Sequence, residues 1–360
     1  MSSPRPPAIS AVGRALPPHR ADQETLIGAF RQLWAKQHFN VERLEDLHRA
    51  VRVGGRNLAL PLDEYPALDT FQKRNDAWIR AARSLGAEAV RRALEAAQLP
   101  VSAVDHLFFI TVTGVATPSV DALLVNELGL RDDLKRTPIF GLGCVGGAAG
   151  IARASDYLRG FPGQVAVLLS VELCSLTLQR EDLSIPNIIA SGLFGDGAAA
   201  VVLEGGERRP AQSRSPRVIA TRAVFYRDTE RIMGWDVGDT GFKVVLSAKV
   251  PQLVRERIRG DVDAFLAEHG LDRSRIAHWV AHTGGPKVLR AFEEALELPA
   301  RALERSHRSL EETGNLSSAS VLFVLGEVMD GGGDAPREGD LGLLLAMGPG
   351  FCSELVLLQW

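Results

Sequence analysis

Two apolar runs of strand length, 104–112 (VDHLFFITV) and 165–173 (VAVLLSVEL), enclose a glycine-rich turn and a helical pattern. The same alternation returns later in the chain, and it is what parallel α/β layers require. In the first unit PIFGLGC ends at a turn. The following VGGAAGIARASDYLRG carries Ile151 and Leu158 at helical spacing, with Gly160 as a stop. In the second unit IAHWVAH reads as a strand, GGPKVLRAFEEALEL as a helix with Pro286 near its start, and NLSSASVLFVLGEVM as another helix. Segments 341–346 and 352–359 read as a terminal hairpin around the Gly348–Gly350 turn, and 23–47 as helical. The one strong break in composition, EGGERRPAQSRSP at 204–216, suits a surface connection. It divides the chain into 1–208, which carries the first unit, and 209–360, which carries the second.

The 360 residues suffice for two domains or one large two-part fold. With 41 basic and 44 acidic side chains the net charge is −3, which offers no basic field for nucleic acid. The longest charge-free stretch found, 137–152, is rich in glycine and too short to span a membrane, and the proline-interrupted start lacks a signal-peptide pattern. Three cysteines, far apart and without metal-ligand spacing, read as free thiols of a cytoplasmic protein.

Cys144 stands where a strand meets a glycine-rich turn and a helix begins, a place where free amides and the helix dipole favour a thiolate. Cys174 and Cys352 lie in apolar runs and read as core. His282 closes IAHWVAH before Thr283-Gly284-Gly285-Pro286. It suits pairing with a thiolate or donating to a substrate oxygen, whereas the alternative is a satisfied turn histidine. Asn315 precedes an apolar helix, where it serves as an N-cap, as an amide donor to a thioester oxygen, or as both. Three such groups at element ends of an α/β chain gather at one sheet edge, where ligands bind.

At these residues the chain resembles the type III polyketide synthases, the chalcone-synthase-like branch of the thiolase-fold enzymes. The resemblance rests on GLGCVGGAAGIARA, GLFGDGAAAVVL, VAHTGGPKVL, GNLSSASVLFVL and LLLAMGPGF, in family order from about residue 104 to the end. Thr283, where a proline often follows the histidine, departs from the pattern. The resemblance implies an αβαβα fold of two related halves with mixed sheets layered between helices. It implies that Cys144 takes an acyl starter, while His282 and Asn315 act on malonyl-CoA as carbon dioxide leaves. It implies no metal or organic cofactor, coenzyme A or acyl-carrier-protein thioesters as substrates, and a homodimer. Phe194 and Phe242 match the two aromatic gates. Thr117, Thr177, Met233 and Ser317 match cavity-shaping positions, and Arg56 matches a contact to coenzyme A phosphates, with Arg52 a second candidate. Glu172 ends a strand near the site and suits orienting its neighbours. Asp196 and Gly197 suit a turn before AAAVVL.

Thr117 falls where plant chalcone synthases place a methionine that reaches into the partner subunit's cavity. The smaller residue, with the phrase MGWDVGDTGFKVVLSAKVP, points to a long fatty acyl starter and an alkylpyrone or alkylresorcinol product. The rival readings are a malonyl-CoA-only synthase of the same family, a single-condensation β-ketoacyl carrier-protein synthase, and a non-catalytic acyl-binding relative. The Phe194 gate and the Gly-Pro-Gly loop argue against the second, and the presence of all three catalytic groups argues against the third.

Overall fold

The computed structural model describes residues 5–34, 40–208, 215–331 and 335–360. Chain order runs β1 (Ala8–Ala15), β2 (His19–Asp22), α1 (Gln23–Trp34), α2 (Val41–Ala50), β3 (Gly55–Leu58), α3 (Phe71–Ala96), β4 (His106–Thr111), α4 (Val120–Leu128), β5 (Lys135–Phe140), α5 (Gly146–Gly160), β6 (Val165–Leu173), α6 (Ile185–Leu193) and β7 (Asp196–Glu204). It continues through β8 (Arg217–Phe225), β9 (Met233–Gly238), β10 (Gly241–Leu246), α7 (Val250–Ala267), β11 (Ile276–Ala281), α8 (Pro286–Leu296), α9 (Glu304–Thr313), α10 (Ser320–Asp330), β12 (Leu341–Gly348) and β13 (Cys352–Gln359).

Nine strands form one mixed sheet in the order β11-β12-β13-β8-β1-β7-β6-β4-β5. The two sides of that sheet follow one plan. An opening strand lies antiparallel to the last strand of its side, β1 to β7 and β8 to β13, and that strand is antiparallel to the one before it, β6 or β12. An earlier strand then adds in parallel, β4 to β6 and β11 to β12. A single residue pair, Ala8 with Arg217, joins β1 to β8.

Strand alternation distributes the apolar side chains between layers. Ile110, Leu168 and Val201 from one side of the sheet and Leu344 and Val356 from the other pack with α5 and α10 in a middle layer. Their strand neighbours Phe109, Val167 and Val202 face α3. Leu343, Leu345 and Leu357 face α7 and α8. The result is the five-layer αβαβα arrangement, with the small and apolar first turns of α5 and most of α10 buried between sheet surfaces.

The segment read as helical at 23–47 is two helices, α1 and α2, with 35–39 outside the described residues. The division at 208/209 also falls at a segment, 209–214, outside them. Asp196 departs from the expected turn: it opens β7 and is fully buried, and its carboxylate accepts from the amides of Ala59 (2.7 Å) and Ser175 (2.8 Å) and from the Ser175 hydroxyl. No described helix is long and apolar enough to cross a membrane.

The start of α5 passes so close to the segment before α10 that a Cβ on Gly147 would overlap the Ser318 carbonyl oxygen, which is backbone and cannot swing away. Gly147→Ala should therefore cost about 1–3 kcal/mol of stability, read as a lower melting temperature, together with most condensing activity. Gly160→Ala, in the same helix with open space around it, should leave both unchanged. Equal effects of the two substitutions would contradict this packing account.

Candidate active site

Cys144 lies in a single 3-10 turn, Gly143–Val145, that leads directly into α5. The turn delivers the thiol to the floor of a small apolar chamber, where the polar side chains in the wall are those of Cys144, His282 and Asn315. The surrounding residues include Leu193, Phe194, Met233, Leu246, Val254 and Phe351. Free space there is about 20 Å³, roughly that of one water molecule.

His282 continues from the end of β11, its amide donating to the Leu345 carbonyl (3.0 Å). The ring is buried and neither nitrogen has a hydrogen-bond partner among the described residues. Burial pulls its pKa down to about 3, so it rests as neutral imidazole. Burial likewise pushes the Cys144 thiol up to about 12, against weaker opposing contributions from Ser317 and Asn315. Both shifts reflect the cost of a solitary buried charge. Passing the proton from sulfur to imidazole creates both charges together, and their attraction offsets much of that cost. The thiolate–imidazolium pair expected from the sequence is thus a state the site reaches by proton transfer; at rest, no hydrogen bond joins the two groups.

Asn315 is held from both sides. Its amide donates to the Leu193 carbonyl (2.9 Å), and its carbonyl accepts from the Gly195 amide (3.0 Å). The side-chain Oδ1 accepts from the Ser317 amide (2.8 Å) and the Ser320 hydroxyl (3.3 Å). Asn315 does not cap α10, whose N-cap is Ala319; its Oδ1 ties down the turn before that helix, leaving the Nδ2 amine as the group available to the chamber. Ser317 places its hydroxyl 4.0 Å from the Cys144 sulfur. Behind it the buried Glu172 carboxylate accepts from the Val112 amide (3.1 Å), the Thr113 hydroxyl (2.9 Å) and the Ser318 hydroxyl, fixing the segment that carries Ser317.

Phe194 follows α6 and stands in the walls of two cavities, the Cys144 chamber and a larger one of about 210 Å³ beyond it. Thr177 and Cys174 line the larger cavity, and Met233 lines the chamber. The two-stranded hairpin β9–β10 roofs both. Met233 pairs with Leu246 over the chamber, Trp235 with Val244 over the larger cavity, and Val237 with Phe242 beyond that.

This register corrects the reading of Phe242. Lying two ladder pairs past Trp235, it is 3% exposed, packs against Phe71, Phe140 and Trp235, and lines neither cavity. Trp235 and Val244 hold the wall position instead. Arg56 is corrected too: it is buried, with Nη1 donating to the Phe194 carbonyl (2.9 Å) and Nη2 to the Ser191 carbonyl, so it braces the end of α6 and presents no surface to coenzyme A phosphates. A cation suits those last helical carbonyls. Thr117 is exposed and lines neither cavity of this chain. Trp235, Tyr65 and Arg180, all in the wall of the larger cavity, were missed. The alternation in MGWDVG and GFKVVL could have revealed Trp235 once those segments were read as paired strands.

Such a site can form a thioester at sulfur and stabilise an enolate with two nitrogen donors. Iodoacetate alkylation of Cys144 followed against pH should show a lower midpoint in the unmodified protein than in His282→Gln, because only the former can pass its proton to imidazole. Coincident midpoints would show that the two groups do not share a proton. Asn315→Ala should slow malonyl-CoA decarboxylation by ~10²–10³ while Cys144 still accepts an acyl group; unchanged decarboxylation would leave Asn315 a brace of that turn alone.

Residues 3–207 match the N-terminal domain, and residues 218–360 the C-terminal domain, of chalcone and stilbene synthases. A 1,3,6,8-tetrahydroxynaphthalene synthase of Streptomyces peucetius subsp. caesius is 50% identical over 353 residues, 98% of this chain and 93% of the relative. A putative chalcone synthase of Bacillus subtilis is 35% identical, covering 98% of both chains. The crystal structure of the tetrahydroxynaphthalene synthase from Streptomyces coelicolor, a bacterial type III polyketide synthase, superposes with a TM-score of 0.92 at 31% identity over 98% of this chain and 99% of that one. With both domains matched in order around Cys144, His282 and Asn315, this chain belongs to the chalcone and stilbene synthase family and is a type III polyketide synthase.

Proposed function

We propose that this enzyme assembles a small polyhydroxylated aromatic product of the tetrahydroxynaphthalene type from malonyl-CoA alone. The observation that carries this reading is the 50% identity, along nearly the whole chain, to a synthase of that product. Oxygens at positions 1, 3, 6 and 8 of a ten-carbon ring pair alternate along a folded chain of five two-carbon units. No carbon remains for a fatty or aromatic starter.

In the reaction so read, the Cys144 thiolate attacks the starter thioester, the carbon–sulfur bond to coenzyme A breaks, and the acyl group stays on the enzyme. His282 Nε2–H and Asn315 Nδ2–H donate to the thioester oxygen of the next malonyl unit. Carbon dioxide departs, the enolate forms against those donors, and its carbon attacks the Cys144 thioester, freeing the sulfur. The lengthened chain, now a coenzyme A thioester, is transferred back to the Cys144 sulfur with release of coenzyme A, and extension repeats as the chain grows past Phe194 into the larger cavity. Coenzyme A thioesters supply the driving force, and no further cofactor enters these steps.

A long acyl starter with an alkylpyrone or alkylresorcinol product is the second reading, favoured by the apolar wall of the larger cavity, where Leu26, Phe30, Leu33 and Leu62 stand. It falls behind because the relative that is 50% identical along nearly the whole chain is a synthase of a ring product without a side chain. The homodimer belongs to the proposal as well: β5 is an open sheet edge ending in Phe140, 53% exposed, and Val115 beside Thr117 is 43% exposed, an apolar margin suited to a second copy.

Incubation with malonyl-CoA alone should give a ring product without a side chain, identified by mass spectrometry. Products formed only when a fatty acyl-CoA is added would overturn the proposal in favour of the second reading. Trp235→Gly, which removes the largest side chain of the roof, should raise incorporation of hexanoyl-CoA as starter relative to malonyl-CoA by roughly tenfold, as the added space admits a buried chain. An unaltered product mixture would show that Trp235 does not set the cavity's limit.

A further inference from the structure

The Cys144 chamber, with about 20 Å³ of free space, is too small for a folded chain of several ketide units, so ring closure belongs to the larger cavity of about 210 Å³. Closing a carbon ring requires a base to take a proton from a methylene between two carbonyls, and an acid to protonate the alkoxide that results. Among the described residues, no histidine or carboxylate stands in that cavity's wall. Its titratable groups are Arg56, Tyr65, Cys174 and Arg180. A guanidinium does not give up its proton, and burial pushes the Cys174 thiol far up. Tyr65 remains, and it is wired to an acceptor.

Tyr65 sits in the 3-10 turn Leu62–Ala67, and its hydroxyl lies 2.5 Å from the Ser175 hydroxyl. Ser175 also stands in the cavity wall, and its hydroxyl donates to Asp196 Oδ2. With the Ser175 proton committed to the carboxylate, Tyr65 is the donor in the first of these bonds. Asp196 is fully buried at the start of β7 and accepts also from the amides of Ala59 and Ser175. The charged and titratable groups that face it are Arg56 of β3, Tyr65, and Cys174 after β6. Burial raises its carboxyl to about 6, against those donors and the Arg56 charge. Asp196 is therefore ionised at neutral pH yet basic enough to accept a proton. Burial, and then the Asp196 charge, hold Tyr65 as a phenol at rest.

We propose that Tyr65 is the acid–base residue of ring closure, with Ser175 and Asp196 as its proton relay. This rests on the malonyl-CoA reading above, which supplies a chain of alternating ketones and methylenes. The Tyr65 oxygen takes a proton from a methylene while its own proton passes to Ser175 and the Ser175 proton to Asp196. The enolate carbon then bonds to a ketone carbon of the same chain, and that ketone oxygen becomes an alkoxide. The alkoxide takes its proton from Tyr65, the relay runs back, and Asp196 is ionised again. One carbon–carbon bond forms, one ketone becomes an alcohol, and the enzyme neither gains nor loses a proton.

With malonyl-CoA alone as substrate, the ratio of ring product to open-chain and lactone products, read by mass spectrometry, tests the relay. A general loss of activity does not by itself move a ratio. Tyr65→Phe, which keeps the aromatic ring and removes the hydroxyl, should lower it by ~10². Ser175→Ala should lower it similarly, and Ser175→Thr, which keeps a hydroxyl, should restore most of it. In the unmodified enzyme the ratio should fall as pH drops through about 6, where Asp196 takes up a proton and can accept no other. In Ser175→Ala that inflection should vanish. A ratio unmoved by Tyr65→Phe overturns the proposal, and so does an unmodified enzyme without an inflection near pH 6, whether or not the variants fold. If the unmodified enzyme gives no ring product from malonyl-CoA alone, the malonyl-CoA reading has failed and the proposal with it. Ring product from the unmodified enzyme and an indifferent Tyr65→Phe confine the failure to the relay.

Discussion

Two backbone hydrogen bonds, from Asn315 to Leu193 and from Gly195 to Asn315, hold the site together. They form an isolated parallel bridge between Phe194 and Asn315, and so join the end of α6 to the turn before α10. Gly195 is needed there because a Cβ would overlap the Thr313 carbonyl oxygen. Through this bridge the aromatic divider of the two cavities and the amide donor of the chamber move as one unit. Arg56, Gln23 and His48 reinforce it by donating to the last carbonyls of α6, at Ser191, Gly192 and Ile188, with Arg56 also reaching the Phe194 carbonyl. His48, pulled down to about 4 by burial and by the neighbouring Arg56 charge, does so as a neutral donor.

The second organising feature is dryness. A thiol, an imidazole and an amide project into a chamber of leucine, valine, methionine and phenylalanine side chains. There, a hydrogen bond to developing negative charge counts for more than it would in water. The same burial keeps the cysteine and the histidine neutral at rest. Glu172, the acid whose charge most affects Cys144, is held deep by hydroxyl and amide donors and supports the Ser317 segment from behind.

The layered fold and the convergence of Cys144, His282 and Asn315 on one chamber were legible because each rests on local pattern. Apolar runs such as 165–173 announce doubly covered strands, and Cys144, His282 and Asn315 stand beside glycine turns that mark element ends. The cavity walls were not legible, since they depend on register and on burial brought from a distance. Phe242 and Trp235 lie on one hairpin face, and only the pairing of β9 with β10 shows that Trp235 reaches the cavity and Phe242 passes beyond it. Arg56 looks like a surface cation in sequence; the carbonyls that enclose it come from residues 191 and 194, far along the chain. Thr117 sits on an exposed loop, so its expected role lies outside anything a single chain encloses.

The central claim is that Cys144 carries the growing chain while His282 and Asn315 supply and stabilise each new enolate. Rapid acid quenching during turnover with malonyl-CoA, followed by proteolysis and peptide mass spectrometry, tests it most directly. The account predicts a ladder of adducts on the Cys144 peptide, spaced by single ketide units. Adducts on the Cys174 or Cys352 peptide, or a Cys144 peptide that stays unmodified while product accumulates, would contradict it.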